Sequence, residues 1–140
     1  MSSVETNKII VQAFVEAINH QDWNRLDRLV SADFIRHSVA AGSPGVRSRD
    51  DLKYFLQKEF VTFPDAIETI EDLFGEGDKI AVRHHFQGTQ HGPMGNFPPT
   101  GKVMKADYLA IYRLKNGLIV EAWVEWDNLS GLTQLGHLSM

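Results

Sequence analysis

Lys115-Asn116-Gly117 stands between two long runs of alternating residues, KVMKADYLAIYRL (102–114) and LIVEAWVEWD (118–127). Asn and Gly accept positive φ at little cost, so the tripeptide reads as a tight turn and its flanks as the two strands of a hairpin. GEGD (75–78) joins AIETIEDLF (66–74) to KIAVRHHFQG (79–88) in the same manner. Everything after Pro64 therefore reads as sheet, apart from SGLTQLGHL (130–138), a short closing helix that starts near Asn128 or Ser130.

The chain before Pro64 has helical periodicity. Ile9, Ile10, Ala13, Phe14, Ala17 and Ile18 make one apolar stripe over residues 4–19. Asp22 can cap a second, shorter helix whose Leu26, Leu29 and Val30 share a face. ADFIRHS (32–38) reads as a turn leading into a short extended piece. Ser48, with Asp51 three residues on, starts a third helix with a capping-box pattern, and Phe63-Pro64 ends it. Helices followed by an antiparallel meander give an α+β domain, with the helices on one face of a strongly curved sheet.

At 140 residues and 43% hydrophobic composition, one domain spanning residues 1–140 with a real core is the simplest organisation. The breaker-rich stretch GTQHGPMGNFPPTGK (88–102) is read as a functional loop or bent strand, not a linker. No apolar run approaches a membrane span, and MSSVETNK at the start has no apolar signal core. A net charge of −4 with scattered acids disfavours nucleic acid, and the absence of cysteine excludes disulfides and thiolate metal sites. A cytoplasmic protein is expected. Six histidines lack H-x-H or H-E-x-x-H spacing, so no metal site is expected either.

The acids of the last strand raise the functional question. One parity is Leu118, Val120, Ala122, Val124 and Trp126; the other is Ile119, Glu121, Trp123, Glu125 and Asp127. A half-buried strand turns its apolar set inward, which sends the acids out. Trp123 among them suggests a face covered by a second subunit, so a homo-oligomer, a dimer first of all, is expected through the outer sheet face. The preceding strand has two registers. A two-residue Asn116-Gly117 turn sets Ile111 opposite Ala122 and makes Asp107 an interior carboxylate. A three-residue loop sets Ala110 opposite Ala122 and turns Tyr108 and Tyr112 inward.

GTQHGPMGNFPPTGK, DYLAIYRLKNGLIVEAW, Asp127 and QLG (134–136) together resemble the SnoaL-like polyketide cyclases. The frame Arg113, Gly117, Ile119, Glu121, Trp123 carries much of that likeness, which runs from the first helix to QLG. The resemblance implies the cone fold of the nuclear-transport-factor-like superfamily, which includes ketosteroid isomerase and limonene epoxide hydrolase: a bent sheet and three N-terminal helices around an apolar cavity. It also implies ring closure by intramolecular aldol chemistry without metal or cofactor. Two positions depart from the family. The acid usual after the tryptophan is Val124, and the Asp or His usual three residues before the arginine is Ala110.

Catalysis, if retained, then falls to His37, which matches a cavity-edge histidine of the family, to His84, or to Asp107. His84 and His85 are strand neighbours and must face opposite ways, so they cannot chelate one metal together. Tyr108, Tyr112, Val124, Trp126 and loop residue His91 are the expected ligand contacts, and each reads equally as an ordinary core or solvated residue. The expected activity is a cofactor-independent cyclase, isomerase or lyase step on a small hydrophobic carbonyl compound, a polyketide for example. The competing reading is a non-catalytic module that uses the same cavity to bind a small molecule, or only to dimerise. Epoxide hydrolysis needs an interior Asp–Arg–Asp-like cluster, for which Asp107 and Arg113 alone are too little.

Overall fold

A computed structural model describes residues 3–38 and 45–139. In chain order it has α1 (Ser3–Asn19), α2 (Trp23–Leu29), β1 (Val30–His37), α3 (Arg49–Thr62), β2 (Ile67–Glu76), β3 (Lys79–Thr89), β4 (Val103–Lys115), β5 (Leu118–Trp126) and α4 (Asn128–Gln134). Five strands form one open sheet in the order β1-β5-β4-β3-β2. The β2–β5 meander is antiparallel, and β1 adds parallel to β5. The short extended piece expected after the second helix is thus a full edge strand. Val30 belongs to it and not to the helix: its backbone is extended, while its N–H still bonds Leu26 O.

The caps are those the side chains allow. Asp22 accepts from Arg25 N–H, and Asp127 from Ser130 N–H. Ser48 accepts from Asp51 N–H at 3.0 Å, whereas the Asp51 carboxylate returns to Arg47 N–H at 3.1 Å and not to Ser48. The α3 helix ends at Phe63, before Pro64.

The β4–β5 hairpin combines the two expected registers. Its turn has two residues, Asn116 and Gly117, both at positive φ, with Lys115 paired to Leu118. Leu114 then pairs with Ile119 but Arg113 with Glu121, so Val120 is an extra residue without a β4 partner. Inside, the bulge gives Ile119, Ala122 and Val124, not the regular Leu118-Val120-Ala122 series. Beyond it Tyr112 lies opposite Ala122 and Tyr108 opposite Trp126, which is the facing of the three-residue alternative. Asp107 is therefore an outer residue. A second bulge, at Glu71 in β2, likewise keeps Ile70 and Leu73 on the inner face while Asp72 leaves it.

The main core lies between α1–α3 and the sheet, with Val11, Leu26, Phe34, Ile80 and Ile119 essentially closed to solvent. A smaller cluster of Phe63, Phe86, Met104 and Leu135 joins the end of α3 to α4. Residues 90–102 are organised by a fully buried Gln90. Its amide donates to the carbonyls of Gly92, Phe97 and Pro98, and its oxygen meets Thr100 Oγ1 and His137 Nε2. Among the described residues, no helix is long and apolar enough to cross a membrane. Removing the α3 cap by Ser48→Ala is expected to cost about 1 kcal/mol in urea denaturation at unchanged fold, because it strands the Asp51 N–H.

Candidate active site

Alternation along three adjacent strands brings polar side chains onto the same inner face: Glu68 from β2, His84 from β3, and Tyr108 and Tyr112 from β4. Pairing places Ile70 beside His84 and His84 beside Tyr108, so the groups form a row across the sheet. Tyr108 Oη donates to Glu68 Oε2 at 2.8 Å. The His84 ring stacks on Tyr108 with centroids 4.4 Å apart, and its Nε2 lies 2.9 Å from Tyr112 Oη. His84 is 1% exposed, and its Nδ1 has no hydrogen-bond partner, with Glu68 Oε2 nearest at 3.6 Å.

Two further elements complete the interior. Glu59, on α3, and Glu68 line one cavity of about 10 Å³ together with Ile18, Leu56, Phe60 and Phe86, which is roughly the room of one water. Arg36 shares the inner face of β1 with buried Phe34, and its guanidinium lies 4.6 Å from the Phe55 ring centre. The strand places it opposite Ala122.

These surroundings move the titrations. Burial raises the Glu68 carboxyl to about 8, with the neighbouring Glu59 charge adding to the effect. Burial raises Glu59 to about 7, against the pull of Arg36. The same desolvation lowers His84 to about 4 and drives both tyrosines well above the ordinary phenol range. Near neutral pH the row therefore holds a protonated Glu68, a neutral His84, and a Glu59 balanced between its two forms. A carboxylic acid beside a carboxylate, in a buried cavity, is an arrangement able to take and return a proton.

The outer face takes the remaining candidates. His37 lies opposite Trp123, stacks on it, and bonds Glu121 Oε2 at 2.6 Å, with its side chain 45% exposed. Asp107 bonds His85 Nδ1 at 2.7 Å and Arg83 at 3.2 Å, and these contacts hold it below the usual carboxylate range, the His85 bond most of all. Glu121 is likewise held low, by His37 first and then Arg113. Glu125 is exposed, and Asp127 is spent on the α4 cap. His91 is exposed in the loop. Val124 and Ala110 are buried apolar residues facing one another, and Trp126 packs with the smaller cluster. Between the charged rows runs an apolar one, Trp123-Ile111-Ala81-Phe74, spanning four strands, with Ile111 and Phe74 exposed.

Of the residues expected to matter, His84, Tyr108 and Tyr112 converge in the interior, and Asp107, Tyr108 and Trp126 line a separate open concavity of about 390 Å³; His37 and His91 line neither. Sequence reasoning missed Glu68, Glu59 and Arg36. AIETIEDLF carries acids in both parities, so without the Glu71 bulge nothing distinguishes Glu68. Glu59 sits in the largely polar run QKEF, where a solvated face is the default. Among the described residues, no three or more His, Asp or Glu side chains converge as a metal set.

Comparison with known proteins gives one family match and a set of structures of the same fold. Residues 8–135 match the profile described as SnoaL-like polyketide cyclase. IdmH of Streptomyces antibioticus, described as a candidate polyketide cyclase, is 31% identical over 93% of this chain and 98% of its own, with a TM-score of 0.80. TsrD of Streptomyces laurentii is 26% identical over 99% of both chains, with a TM-score of 0.86. An LEH-like epoxide hydrolase of M. tuberculosis shares the fold at 12% identity, covering 96% of this chain and 92% of its own with a TM-score of 0.75. No curated protein matches.

A carboxyl whose pKa is higher in the folded chain keeps its proton where the unfolded chain has lost it. Its stabilisation is therefore complete below the ordinary Glu value of 4.5 and is lost as pH rises to about 7 for Glu59 and about 8 for Glu68. His84 has the opposite sign: its share is lost as pH falls from 6.5 through about 4. Urea denaturation should show stability falling between about pH 5 and pH 8.5, by up to about 1.4 kcal/mol per pH unit for each carboxyl. Glu68→Gln should flatten the upper part of that slope. A profile that is level throughout would remove the raised carboxyls from the description.

Proposed function

Because the chain belongs to the SnoaL-like polyketide cyclase family, we propose that it catalyses cofactor-independent proton transfer next to a carbonyl, of the aldol-cyclase kind, with Glu59 and Glu68 as the working pair. The observation that carries this reading is that carboxyls from α3 and β2 line one apolar cavity, with Glu68 tied by Tyr108 at 2.8 Å. Glu59, balanced near neutrality, takes the proton from the carbon beside a substrate carbonyl. Glu68 holds its proton, and Tyr108 occupies its Oε2, which leaves Oε1 to carry that proton toward the carbonyl oxygen. The developing enolate is stabilised by this hydrogen bond in a site of low dielectric. Its carbon then attacks a second carbonyl of the same molecule; the new alkoxide takes up a proton and Glu59 returns to its carboxylate. No electrons leave the system.

His84 serves here as a positioning group, sandwiched against Tyr108 and bonded to Tyr112. The family's usual polar positions, filled by Ala110 and Val124, become apolar wall. A substrate larger than water needs this cavity to widen while Glu59 and Glu68 stay together in it. The ligand class is a small hydrophobic carbonyl compound, a polyketide being the family's precedent. The row Trp123-Ile111-Ala81-Phe74 is the homodimer surface in this reading, since two copies related by a two-fold axis would remove its exposed side chains from water.

Two measurements test these statements. Deuterium uptake at the α-carbon of small aryl ketones and 1,3-diketones, followed by NMR, should fall by about 10²-fold or more in Glu59→Gln and Glu68→Gln. If both variants exchange at the parent rate, the interior carboxyls are structural and the binding-module reading takes over. Trp123→Arg should leave a folded monomer in light scattering, while the parent chain elutes as a dimer; a monomeric parent would overturn the proposed surface.

A further inference from the structure

We propose that Asn19 is a positioning residue that fixes the backbone of Glu68 and so aims its carboxyl into the interior. This rests on the functional reading above for its catalytic meaning, but not for its geometry. The β2 strand is an edge of the sheet, paired on one side only, to β3. At Glu68 the missing neighbour is replaced by one side chain. Asn19 Nδ2 donates to Glu68 O at 2.9 Å, and Asn19 Oδ1 accepts from Glu68 N–H at 2.8 Å. The carboxamide thus supplies one donor and one acceptor, as a peptide unit of an adjoining strand would.

The placement is specific. Asn19 is the last residue of α1 and lies 49 positions from Glu68 in the chain. It also borders the cavity that Glu59 and Glu68 share. Glu68 is consequently held at two points, through its backbone by Asn19 and through its carboxyl by Tyr108. An edge strand without the first anchor frays locally and lets water reach the carboxyl, whose raised titration depends on being dry. Asn alone among side chains of this length offers a donor and an acceptor in a planar fork. Leucine in its place keeps much of the shape and offers neither group.

The test uses the protein with 13C-labelled glutamate carboxyls, titrated by NMR, for the parent, Asn19→Ala, Asn19→Leu and Asp127→Ala. Asp127→Ala removes the α4 cap, a bond that involves neither Asn19 nor Glu68, and serves as a destabilised control. The expected result is a high Glu68 titration in the parent and the control, and a downward shift of about one unit or more in both Asn19 variants. The α-proton exchange rate should fall roughly 10-fold to 100-fold in the Asn19 variants, in kcat more than in KM. Should Asn19→Ala fail to fold, the uncharged and similarly shaped Asn19→Leu carries the measurement. A Glu68 titration unchanged in the Asn19 variants, or shifted equally in the control, would overturn the proposal. If Glu68→Gln leaves exchange untouched, the catalytic reading fails on its own, while the titration still decides the role of Asn19.

Discussion

The inner and outer faces of this sheet are sorted by two residues that the ladder passes over. With Leu114 and Ile119 both inside, an unbroken β5 would carry Glu121, Trp123 and Glu125 inward after them. Val120 absorbs one step, so Ala122 and Val124 take the inner places and the acids go out to His37, Arg113 and solvent. Glu71 does the same in β2, releasing Asp72 to Arg83 after Ile70 and before Leu73. Bulges cost a ladder bond and add local twist. Here that cost permits a strand rich in carboxylates to back a hydrophobic interior.

What stays inside is a short polar row in an otherwise apolar space, and its chemistry follows from desolvation. The same burial that disfavours charge on Glu68 and Glu59 disfavours it on His84, so the acid and the imidazole both stay neutral where water would ionise one of them. Outside, the Asp107 and Glu121 carboxyls are held low by the side chains bonded to them, so partners and water favour their charge. Carboxyls of one chemistry are thus divided into two populations by one sheet: Glu59 and Glu68 inside are raised, Asp107 and Glu121 outside are lowered.

Much of the architecture was legible in the chain. The Asn116-Gly117 turn, the caps at Asp22 and Ser48, the break at Pro64 and the closing helix near Asn128 are local signals, and local chemistry decided each. The outward direction of the β5 acids was legible too, although for a reason that periodicity does not hold, since the bulge and not strict alternation arranges it. The site was only half legible. His84, Tyr108 and Tyr112 stand out as polar residues in apolar strands. Glu68, Glu59 and Asn19 do not, because their placement depends on a bulge, on the angle at which α3 meets the sheet, and on a contact between residues 49 positions apart. His37 misled for the opposite reason: one step along β1 separates it from the residue that does face inward, Arg36.

Gln90 has one more implication, for handling the molecule. Its single amide gathers the carbonyls of a loop that has almost no regular ladder of its own, and its oxygen is shared with a histidine close to the carboxyl end, whose ring also rests on Phe97. Loop and tail are therefore fastened by the same knot. Trimming the chain through His137 would unfasten a segment more than thirty-five positions upstream, counted from Pro98 to His137, so a shortened form should keep that histidine.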